Sequence, residues 1–104
     1  YKACAAYAAS KHAVHGLSET LRLDYGATGI KISEVLPGMV ETEFAATRFG
    51  DEKRGEAYYR EFGVCLTPQD IARSVRFVLE QPSDVVIAQI VVVPTQRPLV
   101  LSTD

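Results

Sequence analysis

Tyr7 and Lys11 stand one helical turn apart in the segment Tyr7-Ala8-Ala9-Ser10-Lys11. On a helix such residues share a face, so a phenol and an ammonium can meet at a common site. The pairing suits proton transfer: a phenol normally titrates near pH ~10, and a cation within a few ångströms favours its ionised form. The bare pair is equally compatible with two polar residues on a solvated helix face, so the surrounding pattern has to decide. Downstream lie Ile30-Lys31-Ile32-Ser33-Glu34-Val35-Leu36 and then Pro37-Gly38-Met39-Val40-Glu41-Thr42. Proline there ends a strand because it cannot donate to a continuing ladder. The glycine after it lets the backbone turn sharply and approach a ligand closely.

The elements that would position these residues follow from periodicity. Ala6, Ala9, Ala13, Val14, Leu17, Leu21 and Tyr25 recur at three- and four-residue spacing, which predicts a long amphipathic helix over residues 5–25 with no obvious cap at its start. Gly26 and Gly29 sit where that helix would stop. His12 and His15 read as partly exposed polar residues of the helix, and no His, Cys or carboxylate spacing spells a metal site. Residues 30–36 read as a strand. Residues 39–66 read as a long insertion broken by Gly50, Gly55 and Gly63, charged at its centre, with a short helix around residues 56–61. Thr67-Pro68-Gln69-Asp70 is a helix start, with threonine as N-cap, proline in the first turn and an acid to complete a capping box. Ile71, Ala72, Val75, Val78 and Leu79 then mark an expected buried face until Pro82. The β-branched run over residues 85–93, closed by Pro94 and Pro98, suits a strand of a parallel sheet covered on both faces. The order is helix, strand, lid, helix, strand, an α/β pattern. Two strands make a marginal sheet, so the chain is expected to be a piece of a larger domain.

Composition narrows the partners. The 104 residues are 47% hydrophobic and 23% charged, ordinary values for a globular domain, with a net charge of -2. Nothing here is a footprint for nucleic acid, and no stretch approaches the ~20 apolar residues of a membrane span. Cys4 and Cys65 fit no disulfide framework or zinc site, which points to a reducing, cytoplasmic setting, and no signal peptide is read.

In this order and spacing the motifs resemble the carboxy-terminal half of a short-chain dehydrogenase/reductase. The likeness covers residues 7–96. It is greatest to the serine and 3-hydroxy-acid dehydrogenase branch, through Glu43-Phe44, Thr47-Arg48-Phe49, Leu66-Thr67-Pro68-Gln69-Asp70-Ile71-Ala72 and Val91-Val92-Val93-Pro94-Thr95-Gln96. The resemblance implies a doubly wound parallel-sheet Rossmann fold, with residues 1–104 as the carboxy-terminal portion of one NAD(P)-binding domain and residues 39–66 as its substrate lid. It implies hydride transfer between NADP, or NAD, and a hydroxyl or carbonyl substrate such as a 3-hydroxy acid. Tyr7 would be the general acid and base and would also face the cofactor. Lys11 would bind the nicotinamide ribose and tune the phenol. Pro37, Gly38 and Val40 would border the nicotinamide, with the Val40 backbone at its carboxamide, and Thr42 would bond the carboxamide or the phosphates. A homodimer or homotetramer paired through the Tyr7 helix is the implied assembly. The glycine-rich phosphate loop, the asparagine and the substrate-orienting serine of the family are not in this sequence, so the preference for NADP rests on the branch alone. The competing expectation is a non-catalytic fragment or subunit that keeps only the interaction surfaces of helix and sheet.

Overall fold

Helix α1 runs from Ala5 to Tyr25, the span its apolar spacing predicts, and starts at Cys4 without a side-chain cap. The structure, a computed structural model, describes residues 4–96, so the expected closing proline Pro98 lies outside the described residues. A 3₁₀ turn, Gly26–Thr28, follows α1 and ends at Gly29, whose φ of 82° is a left-handed value that glycine adopts without a Cβ penalty.

Strand β1, Glu34–Pro37, pairs in parallel with β2, Gln89–Val92, in a register that sets Glu34 opposite Gln89 and Pro37 opposite Val92. The α/β class and the parallel pairing are as expected, but both strands are shorter than the apolar runs that contain them. Side chains take over where the ladder stops. Arg22 donates from Nε to the Ile32 carbonyl at 2.9 Å and from Nη2 to the Ala88 carbonyl at 3.1 Å. Lys31 donates to the carbonyls of Gln81 and Pro82. Pro37 belongs to the strand rather than following it, since the next rung is donated by Gly38 to the Val92 carbonyl at 2.7 Å.

The insertion over residues 39–66 is not the expected loop with one short helix. It holds two helices, α2 (Phe44–Phe49) and α3 (Glu52–Phe62), packed on one another. Gly50 closes α2 at φ 65°, and Asp51 opens α3 by accepting from the amides of Lys53 and Arg54. Gly55 breaks nothing: it lies inside α3, where a Cβ would come 2.6 Å from the Ala46 backbone nitrogen. The absence of a side chain lets the two helices touch, and Ala45 and Tyr59 are buried there at 1% and 6% exposure.

Helix α4, Pro68–Leu79, has the capping box that its first residues predict. Its expected apolar face is only partly covered: Val78 is buried, but Ala72 and Val75 are exposed and Leu79 is 78% exposed. Of residues 85–93 only Gln89–Val92 form a strand, and Val91 is 57% exposed, as expected where the described residues lack the layer that such a run needs on both faces. Two short strands offer too little surface for the apolar faces that the helices present. The Cα radius of gyration, 15.9 Å, accordingly exceeds the ~13 Å of a compact domain of this size. No helix among the described residues is long and apolar enough to cross a membrane.

Candidate active site

The helical period of α1 brings Lys11 Nζ to 5.4 Å from the centroid of the Tyr7 ring. That is within the range at which an ammonium is attracted by an aromatic face. Tyr7 is 42% exposed. Its ring lies 6.5 Å from that of Phe44, the first residue of α2, at an interplanar angle of 49°. The Phe44 amide donates to Thr42 Oγ1 at 3.1 Å, and the Thr42 hydroxyl is 3.4 Å from that of Tyr59. Tyr7, Lys11 and Thr42 are thus joined through Phe44. Threonine here also shapes the entry to α2, a turn role common for its hydroxyl.

A recess of about 260 Å³ opens beside Tyr7 and is lined by Cys4, Tyr7, Phe44 and Arg48. Arg48 donates from Nη2 to Cys4 Sγ at 3.1 Å. Sequence reasoning passed over Cys4, Phe44 and Arg48 as site residues. Phe44 and Arg48 are one helical turn apart, a signal that becomes visible only once this segment is known to be helical. A second, wider recess of about 540 Å³ lies against the other side of the α2–α3 pair, with Glu41, Glu43, Asp51, Glu52 and Glu56 among its lining residues.

Pro37, Gly38 and Val40 lie at and just beyond the carboxyl end of β1, where open α/β sheets receive ligands. The chain bends at Gly38, as expected, but without a positive φ. Its small size matters for another reason, because a Cβ would stand 3.1 Å from Pro94 Cδ and 3.4 Å from Val93 Cγ1. Val40 forms an isolated parallel bridge with Leu66. The bridge bonds come from its neighbours, Leu66 donating to the Met39 carbonyl at 2.8 Å and Glu41 donating to the Leu66 carbonyl at 2.9 Å. In a parallel bridge that pattern turns Val40's own amide and carbonyl to the opposite side.

Away from this recess, polar contacts tie α1 to the sheet. His15 Nδ1 lies 2.9 Å and 3.0 Å from the two carboxylate oxygens of Glu34, and Nε2 lies 3.1 Å from Glu19. The side-chain amide of Gln89 is 3.1 Å from the same Nδ1, and Arg22 is 4.0 Å from Glu34. The hydrogen bond to Glu34 and then that residue's negative charge raise the His15 pKa above its ordinary value of 6.5. His15 is therefore a link between helix and strand as well as a partly exposed polar residue. His12 Nδ1 lies 2.8 Å from the Ala8 carbonyl of its own helix. Among the described residues no group of three His, Cys, Asp or Glu side chains is placed to hold a metal.

Residues 1–53, just over half of the chain, match the family model described as short chain dehydrogenase. Over 98 residues the chain is 40% identical to an uncharacterized oxidoreductase of Mycobacterium tuberculosis, covering 93% of this chain and 39% of that protein. It is 39% identical over 92 residues to the NADP-dependent 3-hydroxy acid dehydrogenase of Schizosaccharomyces pombe, covering 88% of this chain and 35% of the relative. The closed form of serine dehydrogenase complexed with NADP+ superposes with a TM-score of 0.80 at 32% identity, over 93% of this chain and 40% of that structure. The chain thus spans between a third and two fifths of the length of these relatives.

Proposed function

This chain belongs to the short-chain dehydrogenase family, and we propose that it forms the carboxy-terminal part of one nicotinamide-binding Rossmann domain, with residues 39–66 as the substrate lid. The whole protein then moves a hydride between NADP and the hydroxyl or carbonyl carbon of a small hydroxy acid. The observation that carries this reading is the approach of Lys11 Nζ to within 5.4 Å of the Tyr7 ring, beside a recess sized for a small substrate.

In the oxidising direction Tyr7 Oη takes the proton of the substrate hydroxyl; in the reducing direction it returns that proton to the carbonyl oxygen. The Lys11 ammonium, held beside the Tyr7 ring, would donate to the nicotinamide ribose. A bound nicotinamide would supply the hydride chemistry. Pro37 and Gly38, at the end of β1, would border its ring. Val40 suits the carboxamide, because its amide and carbonyl, an adjacent donor and acceptor, have no partner among the described residues. Thr42 can offer its hydroxyl to the carboxamide or the phosphates while still accepting from Phe44. The preference for NADP over NAD is supported by the cofactor named for the yeast relative and for the serine dehydrogenase complex.

The assembly proposed is a homodimer or homotetramer paired through α1, whose Ala5 and Gly16 are exposed and leave room for a neighbouring helix. Both cysteines are free thiols, which suits the cytoplasm. The contact between Tyr7 and Lys11 favours this catalytic reading over a non-catalytic subunit, which would need neither residue.

The test uses the full-length protein with NADP or NAD and a panel of short alcohols and 3-hydroxy acids, following the absorbance of the reduced nicotinamide. Cofactor binding without reduction by any member of the panel would leave the non-catalytic subunit as the better reading.

A further inference from the structure

We infer that Arg48 recognises a carboxylate on the substrate and so makes the site selective for short hydroxy acids over neutral alcohols. The inference rests on the hydride-transfer reading for the identity of the reacting carbon, but the placement of Arg48 is independent of it.

Arg48 is the only charged residue among the four that line the recess at Tyr7. A guanidinium offers five N–H donors in a planar fork. The acceptor it meets is Cys4 Sγ at 3.1 Å, and sulfur is a weak one. Its guanidinium carbon lies 5.8 Å from the Phe49 ring centroid. It forms no ion pair among the described residues, whereas Arg22, Arg73 and Arg76 each face a carboxylate. The fork is therefore held at an aromatic-walled recess with most of its bonding capacity unspent.

The rest of the lining decides which anion fits. Phe44 and Tyr7 present ring surface on one side of the guanidinium, which is itself exposed and so open to an incoming anion. A planar carboxylate accepts two parallel bonds from the fork, a geometry that lysine cannot reproduce. At about 260 Å³ the recess is slightly smaller than the ~300 to 1,000 Å³ of ordinary ligand pockets, so the molecule carrying that carboxylate has few carbons. The phenol and the guanidinium then contact two ends of one short molecule, its carbinol oxygen and its carboxylate.

The experiment compares full-length protein with its Arg48→Gln and Arg48→Lys variants on a short 3-hydroxy acid and on the primary amide of the same acid. Arg48→Gln should reduce the preference for acid over amide, expressed as a ratio of kcat/KM, by about ten- to a hundredfold, chiefly through a higher KM for the acid. Arg48→Lys should recover only part of that preference. Titration calorimetry of the same two molecules reads binding without turnover. Tenfold or greater weakening of the acid alone in Arg48→Gln, at an unchanged thermal midpoint, supports the inference even if no hydride moves. Equal binding of acid and amide by the unaltered protein, or equal losses for both in the variant, would overturn it. Carboxylate binding without reduction of either cofactor would instead count against the dehydrogenase reading and leave the role of Arg48 standing.

Discussion

His15 of α1 and Glu34 of β1 are joined across the helix–sheet boundary, with Nδ1 2.9 Å from Oε1 and 3.0 Å from Oε2. The bond to Glu34, and secondarily its charge, raise the pKa of the imidazole, as Glu19 also does, while Arg22 on the same helix opposes them. A raised folded pKa means that the folded state holds the proton more tightly than the unfolded chain. The stabilisation is fully present below the unfolded value of about 6.5 and is lost as pH rises through the higher folded value. His15→Asn in the full-length protein should therefore lower the thermal midpoint most at pH values below about 6.5, and the gap to the unaltered protein should close as pH rises. A gap that widened with pH would show that the imidazole is held neutral.

Tyr7→Phe removes the hydroxyl and keeps the ring that faces Phe44. Turnover should fall about a hundred- to ten-thousandfold, the usual contribution of a positioned acid or base, while NADP affinity stays within a few-fold. Lys11→Met should depress both turnover and cofactor affinity. Single-turnover rates together with equilibrium binding of NADP separate the two effects; undiminished turnover in Tyr7→Phe would remove that residue from the chemistry.

Gly55→Ala places a methyl group 2.6 Å from the Ala46 nitrogen and 2.8 Å from its Cα, both backbone atoms that cannot swing aside. Helices α2 and α3 must separate. The expected cost is roughly 1–3 kcal/mol, the range for overpacked sites. Because α2 carries Phe44 and Arg48, KM should rise as well. Limited proteolysis within residues 44–62 should report the loosening; a stability curve and KM matching the parent protein would mean that the helices are not packed as described.

Thr67→Ala removes the side-chain half of the α4 capping box and should cost about 1 kcal/mol by chemical denaturation. The Asp70 carboxyl is held below its ordinary range first by the Thr67 backbone amide and next by the Thr67 hydroxyl. A depressed folded pKa contributes stability that is present above the unfolded value of about 3.9 and is lost as pH falls through the folded one. In Thr67→Ala the Asp70 titration, followed by carboxyl carbon NMR, should move upward, so that this stabilisation begins to fade at a higher pH.

Two local features could be read from the sequence almost to the residue. The bounds of α1 follow from apolar residues at three- and four-residue spacing before Gly26, and the start of α4 follows from Thr67, Pro68 and Asp70. In both, the deciding interactions lie within a turn or two of the chain. The Tyr7–Lys11 approach belongs with them, since residues one turn apart on a helix are neighbours whatever surrounds them. The parallel pairing of the two apolar runs was also legible, but not where the ladder would stop: Arg22 takes the Ile32 carbonyl and shares the Ala88 carbonyl with the Glu34 amide, from segments distant in the chain.

Tertiary structure alone separated Gly50, Gly55 and Gly63, which look alike in the sequence. Gly50 and Gly63 supply positive φ at helix ends, whereas Gly55 makes room for the Ala46 backbone. It alone placed Arg48 in the recess beside Tyr7 and set His15 against Glu34. Each of these depends on an atom about 3 Å away through space but many residues away along the chain, and neither the type of a residue nor its spacing records such a distance.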